Sequence, residues 1–332
     1  MVRWAFLAVL LAVVAAIAIG AALMLQPHGP AEPALVEFEP GQSVRDLAAE
    51  LERRDVVASR WLFLAVRAAR PKTILMAGEY EFEEARSPWQ VFEQIARGRV
   101  YLRPLTVPEG LTRFEVAELV ADAGYGSREE LLEITADPTL VKDLLPDAET
   151  LEGCLFPETY RFPKTATGAQ VVGAMVSHFR RAFEQTLRDR HSPLEPYQLL
   201  TLASLIEKET GVDRERPLVS SVFHNRLERG MRLQCDPTII YGLLLEDRYR
   251  GSIFASDLQD PHPYNTYLIE GLPPGPIANP GLASLEAAAR PTESDYLFFV
   301  AESGDSAGHV FSSSLAAHNQ AVNAYRRSLQ RP

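Results

Sequence analysis

The sequence predicts an α+β protein carried on an apolar N-terminal helix, and three observations predict it. The first 25 residues hold an unbroken apolar run. From about residue 150 onward apolar residues recur at helical spacing over 168–190, 196–210 and 214–229. Short alternating segments bounded by Gly and Pro lie before them, and two strand-like runs near the C-terminus read as a hairpin. The expected order is a transmembrane helix, a small α/β region, then a mixed α+β domain closing with a hairpin and a helix.

Trp4 to Leu25 (WAFLAVLLAVVAAIAIGAALML) contains no charged residue. As a helix it spans ~33 Å, close to the hydrocarbon thickness of a bilayer. A cleavable signal has a shorter apolar core, roughly 7–15 residues, followed by a small-x-small site. The residues that follow here, Met24-Leu25-Gln26-Pro27-His28, are a poor cleavage site, so the expectation is an uncleaved anchor in contact with membrane lipid. Arg3 precedes the run and no Lys or Arg follows until Arg45. The positive-inside rule then keeps the short N-terminus in the cytoplasm and exports the rest. The expected location is the inner (cytoplasmic) membrane, single-pass, with the bulk of the chain on the periplasmic or outer side.

Residues 1–26 are thus a cytoplasmic tip and anchor, and the Pro-rich 27–34 a stiff spacer. Residues 35–101 read as a small α/β unit. Leu35–Phe38 is β-type, Pro40-Gly41 turns, and Val44, Leu47, Ala48 and Leu51 repeat at helix spacing. A second helix is expected at Arg60–Ala69 and a strand at Gly78–Phe82. Ser87 then caps a helix with Pro88 in its first position. Residues 102–149 are a repeat-like segment: EPGQSVRDLAAEL (39–51) resembles PEGLTRFEVAELV (108–120), with Gly41 matching Gly110 and Ser43 matching Thr112. Each copy should hold a strand, a Gly turn, a capped helix and a second helix. Two copies are too few for a solenoid.

Residues 150–330 form the last domain. The Pro/Gly-rich stretch at 250–281 (with SDLQDPHPYNTYLIEGLPPGPIANPG) is too long for a connector, and loops of that length are usually functional. Tyr296–Val300 and His309–Phe311 are the expected hairpin strands, joined by a Gly-containing turn.

The chain has 332 residues, enough for two compact domains, with 46% hydrophobic and 23% charged residues as in ordinary globular proteins. A net charge of −11 argues against nucleic acid as a partner. The histidines show no HExxH or paired Cys/His spacing, and neither a phosphate-cradling glycine loop nor a GxSxG elbow is present, so no metal site or cofactor is expected. Cys154 and Cys235 would sit in an oxidising space, either paired or as two buried small apolar residues.

One helix carries candidate chemistry. In LASLIEKETGV (202–212), Leu199, Leu202, Ala203 and Ile206 share an apolar face, Lys208 points to solvent, and Glu207 and Glu209 flank the face. A carboxyl bordered by apolar groups is partly desolvated, which suits a general acid. The next segment and the later loop are dense in amides, hydroxyls and aromatics, the groups a sugar cleft uses: Asn225, Arg226, Gln234, Asp236, Thr238, Tyr241, Tyr264, Asn265, Thr266 and Tyr267. A polar network holding the loops together would use the same groups.

The motifs IEKET, NRL, M-x-LQ-x-DPT-x-x-Y, YNTY and GLPPGPIANPG, with LEGCLFPETY at 151–160 and PTESDYLFFV…GHVFSSSLAAHN, together resemble the endolytic murein transglycosylase family, also called MltG or YceG-like. The resemblance covers nearly the whole chain. It implies that residues 35–101 are LysM-like and 150–330 catalytic. It makes peptidoglycan glycan strands the substrate, the cell-wall synthesis machinery a candidate partner, and termination or trimming of nascent strands the role. It assigns the catalytic acid to Glu207, with Glu152 and Glu209 joining the candidate substrate-binding residues. Cys235 departs from the family's usual Ser or Thr, and Cys154 fills a variable, often larger position. The implied mechanism uses Glu207 twice, first as acid on the glycosidic oxygen, then as base on the muramoyl C6 hydroxyl, leaving a 1,6-anhydro end. A hydrolase would need a second carboxylate. Asp236 is the candidate, although DPT also reads as a helix start with Asp as cap. A non-catalytic wall-binding scaffold is the third reading.

Overall fold

The computed structural model describes residues 2–302 and 308–329. The Arg3 side chain and the turn expected near 303–307 lie outside the described residues. The fold is mixed α+β, and the chain divides into two compact units: Met1–Pro104 with Arg161–Ala166, and Leu105–Tyr160 with Thr167–Pro332.

In the first unit, α1 (Val2–Leu25) contains the span Phe6–Leu25, long and apolar enough to cross a membrane and not buried against protein. Its end is tied down where Met24 packs on the unit's core. Strand β1 (Ala34–Phe38) pairs antiparallel with β2 (Gly78–Phe82), Val36 opposite Tyr80. Alternation turns Ala34, Val36 and Phe38 inward. Between the strands run α2 (Val44–Arg53), capped by Ser43, and α3 (Arg60–Ala69), capped by Ser59. Helix α4 (Pro88–Ala96) starts as expected, with Pro88 first and a Ser87–Gln90 capping box. Phe63, Tyr80, Phe82 and Phe92 fill the core.

The second unit takes in the end of β3 (Arg103–Val107), then α5 (Arg113–Asp122) and α6 (Arg128–Ala136). The internal repeat holds at the level of backbone. Gly41 and Gly110 both adopt positive φ (85° and 76°), and Ser43 and Thr112 both cap the helix that follows. A feature the repeat did not announce completes each copy: β2 returns to β1, and β4 (Glu158–Phe162) returns to β3. ETYRF lacks the buried alternation that marks a strand in sequence.

The rest is helical. α9 (Arg216–Glu228), α10 (Asp236–Leu245) and α11 (Leu282–Ala289) gather around α8 (Pro196–Glu209), and α7 (Gly168–Arg188) packs on α11 and α6. The expected one-sided apolar face of α8 is corrected here. Every residue from Leu199 to Ile206 is buried, because α9, α10 and α11 all pack on it. Glu207 and Glu209 therefore emerge at the end of a central helix. The 250–281 stretch holds a single turn of 3₁₀ helix, Asp257–Gln259. It is pinned within itself, Asn265 Nδ2 donating to the Asp260 carbonyl (2.8 Å), and to α8, Ser204 Oγ accepting from Ile277 N (3.0 Å). The hairpin forms from β5 (Phe298–Ala301) and β6 (His309–Ser312), Phe299 opposite Phe311, and α12 (Leu315–Ser328) follows. His309 Nδ1 meets Glu215 at 2.8 Å and fastens the hairpin to the turn before α9.

Candidate active site

Glu207 sits in the last turn of α8 with its side chain 6% exposed. Oε2 accepts from Ser284 Oγ at 2.7 Å and from Gly281 N at 3.1 Å. Oε1 faces Arg216 Nη2 at 3.4 Å. Three elements thus fix one carboxyl: α8 carries it, the start of α9 supplies Arg216, and the start of α11 supplies Gly281 and Ser284. Gly281 precedes the first residue of α11, so its N–H is among those a helix leaves free for an acceptor. Arg216, 5% exposed, is held in turn by Ser284 Oγ (3.0 Å from Nε) and by Asp213.

Lys208 is exposed, as expected, but its ammonium is not idle. Nζ donates to the Gly110 carbonyl at 3.0 Å. Gly110 N donates to Asn279 O (2.9 Å), and Asn279 N to Leu111 O (2.8 Å). The turn after β3 is thereby fastened beside Glu207, and it carries Glu109. That carboxyl lies 3.5 Å from the same Arg216 Nη2. Burial, then the charge of Glu207, push the Glu109 pKa up, and Arg216 opposes them.

Glu152 stands in a second, sealed cluster. It is 3% exposed, and its oxygens accept from Arg113 N (3.0 Å), Tyr241 Oη (2.9 Å) and Asn279 Nδ2 (3.2 Å). Burial raises its pKa to about 7 against the pull of those donors. Tyr264 packs on Tyr241 with ring centroids 5.1 Å apart. Asn279 bridges this cluster to the Glu109 turn.

Glu209 heads a third cluster. Its pKa is raised by burial, while the Cys235 thiol hydrogen-bonds to it and Arg226 and His309 act in the opposite sense. Cys154 and Cys235 are both buried and unpaired with each other. Asp236 is the first residue of α10, and Cys235, not Asp236, occupies the capping position. Its Oδ1 instead accepts from Tyr267 Oη at 2.6 Å.

The remaining residues of the sugar-compatible set are engaged within the protein. Asn225 Nδ2 donates to Ser294 O and Tyr296 O (2.9 Å each). Arg226 donates to Leu297 O (2.7 Å) and Leu233 O (2.8 Å). Thr238 and Thr266 share a 2.9 Å hydroxyl bond, and Thr266 Oγ1 accepts from Cys235 N. Gln234, at φ 52°, gives its N–H to Thr266 O. The structure therefore brings Asp236, Thr238, Thr266, Arg226 and Glu209 together, and Glu152 with Tyr241 and Tyr264, but sets Glu207 among residues that sequence reasoning missed: Glu109, Arg216, Gly281 and Ser284. A signal existed for two of them. The GLPPGPIANPG motif ends on Gly281, and the repeat places Glu109 where the first copy has Pro40. Arg216 and Ser284 carry no local pattern.

An open cleft of ≈ 400 Å³ adjoins this constellation, lined by Glu109, Phe156, His178, Arg181 and Leu282 among others. Glu109 belongs to both, and Leu282 follows Gly281 in the chain, so the cleft reaches the Glu207 constellation through these two residues. Among the described residues no cluster of His, Cys, Asp and Glu is placed to hold a metal ion.

Residues 36–324 match the model of the YceG-like family. The chain is 32% identical over 308 residues to an endolytic murein transglycosylase of Bacillus subtilis, covering 87% of this chain and 84% of that protein. It is 29% identical over 293 residues to one of Streptococcus pneumoniae, covering 79% of this chain and 53% of that longer protein. A crystal structure of a yceG-like protein from Listeria monocytogenes is similar at TM-score 0.56 and 33% identity, over 87% of this chain and 99% of that one.

Proposed function

This chain belongs to the YceG-like family, and from that premise we propose how it cuts glycan. It is a peptidoglycan lytic transglycosylase, a lyase, as its relatives' names support. The observation that carries the mechanism is the Glu207 carboxyl. It is nearly buried, aimed by Ser284, Gly281 and Arg216, and shares Arg216 with Glu109, which lines an open cleft.

In this reading a strand lies in the cleft with an N-acetylmuramoyl–N-acetylglucosamine bond at Glu207. Protonated Glu207 donates to the glycosidic oxygen as the bond to muramoyl C1 lengthens. The carboxylate that results takes the proton of the muramoyl C6 hydroxyl, and that oxygen closes on C1. The products are a new 4-hydroxyl and a 1,6-anhydro end, with no water consumed. Glu209, Glu152 and the polar residues packed around them shape and stiffen the cleft. Helix α1 anchors the enzyme in the inner membrane with its bulk on the periplasmic side. The βααβ unit of residues 35–101 acts as a LysM-like element, and cutting within strands terminates or trims nascent glycan beside the synthesis machinery.

Digesting purified glycan strands and weighing the fragments tests this reading. Fragments ending in 1,6-anhydromuramic acid are expected. Fragments heavier by one water would establish a hydrolase instead.

A further inference from the structure

We propose that Glu109 is a second catalytic carboxyl of this site, its charge held against the sugar ring to stabilise the cation that develops at C1 while Glu207 handles the proton. The proposal rests on the reading of Glu207 given above and goes beyond it.

Geometry supports it first. Glu109 Oε2 and Glu207 Oε1 lie 3.5 and 3.4 Å from one nitrogen, Arg216 Nη2. Those two carboxylate oxygens are therefore at most about 7 Å apart, no farther than the carboxyl pairs of glycan-cleaving enzymes reach. The turn bearing Glu109 is fixed by the bonds of Gly110 to Asn279 and Lys208. Gly281 leaves room for it, since a Cβ on residue 281 would overlap the Glu109 carboxyl. The two carboxyls are not equivalent. Glu207 is 6% exposed and Glu109 48%, and Glu109 lines the cleft. A strand entering the cleft meets Glu109 first.

Charge supports it second. Arg216 already faces Glu207 and Asp213, so Glu109 is a third carboxyl around one guanidinium. A half-exposed ion pair adds little to stability. Folding thus has small use for this carboxyl, whose pKa is pushed up by burial and then by the charges of Glu207 and Asp213. A positive charge developing at the sugar ring in the cleft favours the ionised form of such a carboxyl, so its stabilising charge is strongest in the transition state.

The step balances without it. The C1–O4 bond breaks, the proton of Glu207 goes to O4, the C6 oxygen bonds to C1, and the C6 proton returns to Glu207. Glu109 exchanges neither proton nor electron pair.

The test compares the full chain in detergent with Glu109→Gln and Glu109→Asp, recording turnover, KM, product mass and melting temperature. Glu109→Gln should lower kcat by about 10²-fold with KM little changed, as loss of a preorganised charge does. Its product should still end in the 1,6-anhydro form. Its melting temperature should stay level or rise, and Glu109→Asp should recover part of kcat. A near wild-type kcat in Glu109→Gln overturns the proposal. So does a fallen melting temperature or failure to fold, which would make Glu109 a structural partner of Arg216. If the wild type gives only products heavier by a water, the reading of Glu207 as a lytic acid–base fails instead, and the two failures are told apart.

Discussion

Arg216 Nη2 stands 3.4 Å from Glu207 Oε1, and both side chains are almost sealed from solvent, 5% and 6% exposed. A buried ion pair contributes little net stability, but removing one partner strands the other. The pair therefore fixes the position of a carboxyl, and the residues around it gain their meaning from that.

Removing the guanidinium should be costly twice over. Arg216→Ala leaves Glu207 without its cation and should destabilise by about 3–5 kcal/mol. Arg216→Lys keeps the charge but cannot reach Ser284, Glu207 and Asp213 together. It should melt closer to wild type while still losing most of its turnover. Melting curves measured beside glycan-release rates check this, and full activity in Arg216→Lys would show that the fork geometry is not needed.

Cys235 gives a prediction about chemistry hidden in packing. Its thiol hydrogen-bonds to the buried Glu209 carboxyl. Cys235→Ser keeps a donor of similar size and should change stability by less than about 1 kcal/mol. Cys235→Val removes the donor and should cost about 1–3 kcal/mol, read as a lower melting temperature. Equal stabilities in the two variants would mean that the bond is not made.

Glu152 makes stability depend on pH. Its folded pKa of about 7 lies above the ordinary value of 4.5. A raised carboxyl pKa means that the neutral form is favoured in the fold. The stabilising contribution is thus fully present below pH 4.5 and is lost as pH rises through about 7. Between about pH 5 and pH 8 the wild type should lose melting temperature that Glu152→Gln does not lose. Parallel curves for the two proteins would place the titration elsewhere.

How much of this was legible beforehand depends on the range over which each cause acts. The capping of α4 by Ser87 and the ends of α3 and β2 are local matters, and the sequence states them. The Gly41/Gly110 correspondence was visible for the same reason, since a positive-φ turn requires its residue type wherever it occurs. β4 was not, because it is defined by pairing with β3 more than fifty residues away. Helix α8 misled in an instructive way. A helical wheel assumes one wet side, and this helix has none from Leu199 to Ile206. The Glu207 site divides likewise. The carboxyl was found through motifs, whereas Arg216 and Ser284 are brought to it by contacts no local pattern encodes, and Glu109 was marked only by its place in the repeat.

Helix α1 predicts a partitioning behaviour. Apart from its end at Met24, its Phe6–Leu25 span presents apolar side chains outward, and burial in lipid is worth about 25 cal/mol per Å² of that surface. Full-length protein should remain in the membrane pellet after high-salt and alkaline washes. Its release into the supernatant, with a new N-terminus near residue 27, would identify α1 as a cleaved signal.

The most direct measurement of the account is the rate at which Glu207→Gln releases 1,6-anhydro-ended fragments from uncrosslinked glycan strands, with a melting curve alongside. The amide keeps the shape of the side chain and cannot supply the proton, so the rate should fall by at least roughly 10²–10⁴-fold while folding persists. Glu209→Gln, altering a carboxyl in the Cys235 cluster, should lose activity only in part. A folded Glu207→Gln enzyme that cuts at near wild-type rate, with Glu209→Gln inactive, would contradict the account and move the chemistry to the other carboxyl.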